Sequence, residues 1–326
     1  MKSNSMTALV GILILVCPPK GALGQVALDL RPDYQEVYVG QTVSIELWAV
    51  SETSDTRYTA AMDICLNWNP THMNPVSFTN AGAGYSWFQS GFLYPGGPNA
   101  SLADGDAVWT AFAGPGNPAP IPPAGLKVTT FRFQALAGTS GTVLTLPANI
   151  GPYTTVVYDG FIPNTPITGT IDPGAIVKII PTANVTGTVS RQFFLGGGGM
   201  TGTLEFRDPN TLTVLHSRPI TLDVVGNYSA SAVPVGTYDV ALKLHNWLRQ
   251  VLEDVVITDP TTSGVNFTVV NGDANGDNSV DLIDLNWIMV NFGQLGQVMG
   301  NLNWDGQVDI LDMNINMVNF GLVGAP

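Results

Sequence analysis

The sequence predicts a mainly β protein, two β-sandwich domains followed by a small α-helical domain, and three observations carry that expectation. Residues 26–270 hold many short segments in which apolar and polar residues alternate, separated by clusters of proline and glycine. Charged residues make up only 11% of the chain, while 36 glycines and 23 prolines punctuate it, a composition suited to short strands and tight turns. Beyond residue 270 the character changes to an acidic segment with a helical apolar period and an internal repeat. The roughly 300 residues after the leader exceed one typical domain and suggest two or three.

Residues 1–24 have the form of a signal peptide. Lys2 supplies positive charge, Leu9 through Val16 form a compact apolar run, and Ala22-Leu23-Gly24 offers a cleavage site before Gln25. That run is shorter than the about 20 residues a bilayer span needs, and no second run of that length follows, so the expectation is a secreted, extracellular protein with no membrane span. Bulky Val16 argues against a lipid anchor at Cys17. Without the leader, Cys65 is the sole cysteine, so no disulfide framework exists. Its setting, Ile64-Cys65-Leu66, reads as a small buried hydrophobe. The whole chain carries −13; without the leader's two lysines it keeps 10 basic against 25 acidic residues, a net −15. Nucleic acid and anionic membranes are therefore not expected as partners.

Residues 25–180 read as the first sandwich. Val37–Val39, Val43–Val50, Met62–Trp68, Ala107–Phe112, Val128–Ala135 and Thr142–Leu146 are its expected strands. Residues 181–270 repeat the style in a smaller unit after Pro181. Val185–Val189, Thr201–Phe206 and Gly236–Leu244 are its clearest strands, and a seven-strand module of immunoglobulin-like or transthyretin-like kind is expected.

Residues 271–326 hold seven carboxylates and no lysine or arginine. Asp281 through Gly293 aligns without gaps to Asp309 through Gly321, a spacing of 28 residues. Ahead of each repeat lies a loop with oxygen-bearing residues at positions 1, 3, 5, 7, 9 and 12. Asp273, Asn275, Asp277, Ser279, Asp281 and Asp284 form the first set; Asn301, Asn303, Asp305, Gln307, Asp309 and Asp312 form the second. Calcium is large and hard, takes six to eight oxygens and is held by EF-hand-type loops at those positions, with position 7 using its carbonyl. Two calcium ions are expected. Position 6 needs a left-handed backbone, which Gly306 adopts freely and Asn278 tolerates. Leu285, Ile288, Met289 and Phe292, echoed by Met313, Met317 and Phe320, predict an apolar helix face. Gly293 and Gly321 are the expected helix stops.

Loop–helix repeats with no helix before the first loop, and Asp rather than Glu at position 12, resemble the type I dockerin family. The resemblance implies calcium ligands at Asp273, Asn275, Asp277, Asp284, Asn303, Asp305 and Asp312, carbonyls from Ser279 and Gln307, and Asp281 and Asp309 acting through water. It further implies a cohesin-type partner domain that contacts loop positions 10 and 11, here Leu282-Ile283 and Ile310-Leu311. The alternative for these four is burial in the domain's own small core. Asn301 departs from the family's first Asp, leaving three carboxylates against four, which predicts weaker calcium binding in the second loop. A core this small, with seven unbalanced carboxylates, is expected to lose structure in a chelator.

The first sandwich resembles a cohesin through Tyr38–Leu47 and Ala61–Pro70, although carbohydrate-binding modules share that architecture and fold does not choose between them. Gly226-Asn-Tyr228 and Val233–Tyr238 resemble the regulatory-like domain found beside carboxypeptidases. Within a glycine-rich stretch, Tyr85, Trp87 and Tyr94 are candidates for stacking on a polysaccharide, against the plainer reading that they fill the core. Trp48, Trp68 and Trp109 lie in strand patterns and read as core. Catalysis finds little support. His72, His216 and His245 are scattered, Asp104 and Asp106 flank a turn glycine, and Gly196–Gly199 reads as a hairpin tip. The functional expectation is a non-catalytic modular protein that docks calcium-dependently, in an assembly linked to polysaccharide by the dockerin resemblance alone. The alternatives are glycan binding by the first sandwich and a calcium-stabilised end piece with no cohesin partner.

Overall fold

The computed structural model describes residues 26–160, 165–197 and 199–326. The leader and export expected for residues 1–24 lie outside the described residues, as does Gly198 of the expected hairpin tip. Strands dominate, and three separate apolar cores line up along the chain. Among the described residues no helix is long and apolar enough to cross a membrane.

The first unit is a sandwich. One sheet runs in the order Thr168–Ile171, Val26–Arg31, Thr42–Ser51, Leu126–Ala135 and Met73–Thr79. The facing sheet runs Val156–Asp159, Arg57–Asn67, Asp106–Phe112 and Gln89–Gly91, with Ala119–Ile121 also paired to Arg57–Asn67. Strict alternation in Thr42–Ser51 sends Val43, Ile45, Leu47 and Ala49 inward. Across the core, Trp109 meets Phe131 edge-on at 5.8 Å and Trp68 meets Phe133 at 5.4 Å. Each fully buried side chain of this size contributes roughly 1.5–3 kcal/mol. Cys65 is buried beside Tyr153 and Thr155, and burial pushes its thiol above its ordinary pKa, so it is inert packing.

Pro181 is the single residue between strands Ala175–Ile180 and Thr182–Arg191. The second unit packs Asn227–Pro234 and Thr182–Arg191 over Val214–Thr221, Thr201–Arg207, Gly236–Leu244 and Trp247–Ile257. Two short pieces, Thr261–Thr262 and Phe267–Val269, both pair in parallel with Thr182–Arg191, so the last edge position is one strand in two parts.

The tail carries two helices, α1 (Leu282–Val290) and α2 (Ile310–Asn319). Asp281 and Asp309 cap them, each accepting an N–H two residues on, while Asp284 and Asp312 bond back to the cap residue's own N–H. Gly293 and Gly321 follow with φ of 84° and 85°, beyond the helix ends. The expected apolar face divides here. Ile288 and Met313 meet the core, whereas Met289, Phe292, Met317 and Phe320 point outward. The small core holds Ala274, Ile288, Leu302, Val308 and Ile315, and the buried stripe of α2 is Asp312, Ile315, Asn316 and Asn319. The cause is the neighbour. There Asn316 and Asn319 donate to the Gly272 and Asn271 carbonyls, which a methionine could not do.

Candidate metal centre

The two loops share a common set of contacts. In the first, Asp277 N–H donates to Asn275 Oδ1 at 2.9 Å, Ser279 N–H to Asp277 Oδ1 at 2.9 Å, and Asp281 N–H to Asp284 Oδ2 at 2.8 Å. In the second, Asp305 N–H donates to Asn303 Oδ1 at 2.9 Å, Gln307 N–H to Asp305 Oδ1 at 3.0 Å, and Asp309 N–H to Asp312 Oδ2 at 2.9 Å. The position-3 N–H reaches the position-12 carboxylate in both, Asn275 to Asp284 at 3.1 Å and Asn303 to Asp312 at 3.2 Å. Position 6 has φ of 75° at Asn278 and 94° at Gly306, the left-handed turn that folds each loop back on itself.

The loops are also exchanged between repeats. Val280 bonds Gly321 and Leu322, just after α2, whereas Val308 bonds Gly293 and Gln294, just after α1. Each loop is thereby fastened to the end of the other repeat's helix, so the two must order together.

Charge burial is what the arrangement leaves unbalanced. Asp273, Asp284 and Asp312 are all 0% exposed. Burial pushes the carboxyls of Asp284 and Asp312 above their ordinary pKa, against the backbone N–H groups that pull them down. Among the described residues, one salt bridge reaches the tail's acids, from Lys243 to Asp273. The Oδ1 of Asn301, at position 1 of the second loop, is buried without a hydrogen-bond partner. Buried charge needs a counter-charge and a buried carbonyl-type oxygen needs a donor or a cation. A hard cation meets both needs, and the donor set is all oxygen, so the residues fit calcium.

The tail is joined to the middle unit by buried polar contacts. Asn246 Nδ2 donates to the Asn301 carbonyl at 2.8 Å, and the Asn246 carbonyl accepts from Gly272 and Asp273 N–H. Asn319 Nδ2 donates to Asn271 O and to Gln192 Oε1, both at 2.8 Å. Leu195 N–H donates to Asn303 O at 2.8 Å, from the glycine-rich turn that follows strand Thr182–Arg191, and Phe194 lies against Trp304. None of these was legible in the sequence, where the turn reads only as a hairpin tip.

Loop positions 10 and 11 lie outward. Leu282, Ile283, Ile310 and Leu311 are 67%, 53%, 54% and 47% exposed, so the tail's core does not take them. With Met289, Val290, Met317 and Val318 also exposed, they leave broad apolar faces on both helices.

Of the three candidate stacking residues in the first sandwich, one is buried and two are half-buried. Trp87 is buried and its indole N–H donates to Val128 O at 3.0 Å, which corrects its reading as a stacking residue. Tyr85 is half-buried against Trp87 with its hydroxyl on Asn117 O. Tyr94 is half-buried too, tilted against Tyr153 with its hydroxyl turned to Asp63. Phe88, one residue from Trp87, is the exposed ring of this stretch.

No family model matches the chain, and no curated protein matches it. Solved structures show partial likeness. A chain of a type II cohesin–X–dockerin complex from Acetivibrio cellulolyticus is 21% identical, with 44% of this chain and 97% of that chain covered and a TM-score of 0.34. A type I cohesin from Pseudobacteroides cellulosolvens is 10% identical over 48% of this chain and 94% of its own, with a TM-score of 0.36. The cohesin module of a family 33 glycoside hydrolase from Clostridium perfringens is 16% identical over 48% of this chain and 97% of its own, with a TM-score of 0.33.

Proposed function

We propose that this is a non-catalytic, exported docking protein whose tail, residues 271–326, binds two calcium ions and offers an apolar face to a cohesin-type partner domain. The observation that carries the reading is the matched pair of loops around buried Asp284 and Asp312, whose carboxylates have no cation beside them among the described residues. Asp273, Asn275, Asp277 and Asp284 would hold one ion with the Ser279 carbonyl; Asn301, Asn303, Asp305 and Asp312 would hold the other with the Gln307 carbonyl. Asp281 and Asp309 already cap the helices through one oxygen each and would reach the ion through water. Calcium would supply the missing positive charge and fix the loops, and through the capped first turns it would fix the outward positions 282, 283, 310 and 311. The sandwiches carry and space this face.

Calorimetric titration of the whole chain with calcium, with circular dichroism before and after chelator, tests it. Two ions bound, with a melting temperature lower in chelator than in calcium, is the expected result. No heat of binding, or a melting temperature indifferent to chelator, overturns the reading.

A further inference from the structure

Lys243 is the residue of the middle unit whose charge enters the first loop. It stands near the end of strand Gly236–Leu244, paired to Thr203 across the sheet. Its ammonium forms an ion pair with Asp273 Oδ2 and donates to the Trp247 carbonyl at 2.7 Å. Asp273 is loop position 1 and is fully buried. Its carboxylate already accepts Gly276 N–H at 2.7 Å through Oδ1 and Asn278 N–H at 2.9 Å through Oδ2. The second loop has no such partner and no such charge, because its position 1 is Asn301.

Position 1 is therefore electrically neutral in both loops, by an ion pair in one and by an amide in the other. Beyond it each loop keeps three carboxylates, Asp277, Asp281 and Asp284 against Asp305, Asp309 and Asp312. Lys243 also borders an open depression of about 420 Å³ lined in part by Thr203, Pro219, His245 and Gly276. The side chain thus has a solvated place to move into.

We propose that Lys243 is a built-in counter-ion of the first calcium loop, holding Asp273 when calcium is absent and yielding it when calcium enters. The inference rests on the calcium reading above. An ammonium and a calcium ion cannot share one carboxylate without repulsion. Whatever the ion pair contributes to the calcium-free packing of tail on middle unit, calcium must overcome, and the coupling is reciprocal. The first loop's affinity is then set by a residue outside the loop. The two loops are matched in charge, in place of the stronger first loop that carboxylate number alone predicts.

The test compares calcium titrations of the whole chain in an Asp312→Asn background, where the first loop is the remaining site. Lys243→Gln keeps a donor for Trp247 O and removes the charge. It is expected to tighten calcium binding by about 5- to 150-fold and to lower the melting temperature in chelator while leaving it unchanged in calcium. Lys243→Arg keeps the charge and is expected to keep the parent's affinity. Unchanged or weaker calcium binding in Lys243→Gln, or an equal loss of melting temperature in chelator and calcium, overturns the proposal and makes the lysine a packing contact. Should Lys243→Gln be unfolded in chelator, a tightening in Lys243→Arg overturns it instead. A parent chain that binds no calcium overturns the calcium reading and this inference together; two ions in the parent with no change in the variant overturn this inference alone.

Discussion

The Asn278 side chain carries Oδ1 to the Arg249 backbone N–H at 2.7 Å, so loop position 6 of the first repeat is a fastening to the middle unit as well as a turn. Its Nδ2 donates to Ala325 O at 2.8 Å. Glycine is the easier residue for φ of 75°, but the strain it would relieve, about 1–2 kcal/mol at an ordinary residue, is smaller at asparagine, which visits this region readily. Asn278→Gly removes two hydrogen bonds and strands the Arg249 donor, costing about 1–3 kcal/mol. The second effect is larger. Thermal melting is expected to show Asn278→Gly less stable than the parent, whereas a stabilised variant would show that the turn alone matters.

Trp87 behaves as core. Trp87→Ala opens a cavity beside Tyr85 and leaves Val128 O without its indole donor. A loss of about 3–5 kcal/mol is expected in denaturant unfolding. Phe88→Ala, at a ring 71% exposed, should change stability by less than about 0.5 kcal/mol. Similar losses in the two variants would contradict the packing described here.

The sequence showed the strands and the loops because each follows a local rule. Thr42–Ser51 alternates with the pleat, and the loop oxygens recur with the spacing a hard cation needs. On the helices, period and hydrophobicity separate in this tail. Asp312, Ile315, Asn316 and Asn319 keep helical spacing, but most are polar, and Asn316 and Asn319 donate to groups far away in sequence, Gly272 and Gln192. The asparagines at 316 and 319 were the available signal for a buried polar face. Lys243 gave no signal at all, since only the packing of two units places it beside Asp273.

His216 lies between the first two units, its ring edge-on to Tyr38 at 5.4 Å and to Tyr238 at 5.9 Å. Burial, and then the charge of Arg218, hold its pKa below the ordinary value. Below about pH 6.5 the unfolded chain therefore binds more protons here than the folded one, and stability falls as pH falls through that range. Melting temperatures between pH 8 and pH 5 are expected to decline more in the parent than in His216→Phe. Equal slopes in the two proteins would remove His216 from the account.

Asp312 separates a metal ligand from an ordinary buried acid by the sign of its effect in two buffers. Its carboxylate takes N–H groups from Leu302, Asn303 and Asp309, at 2.7, 3.2 and 2.9 Å, and among the described residues has no cation beside it. Asn in its place loses one of these bonds but also loses a buried charge, so in chelator Asp312→Asn should lie within about 1 kcal/mol of the parent. In calcium at 100 times the dissociation constant, the parent gains about 2.7 kcal/mol per site, and the variant forgoes that gain at its second loop. Melting in chelator and in calcium, with ions counted by calorimetry, should show two ions falling to one and a deficit confined to the calcium buffer. A deficit of the same size in both buffers would make Asp312 a structural cap of α2, and the calcium assignment of the second loop would fall with it.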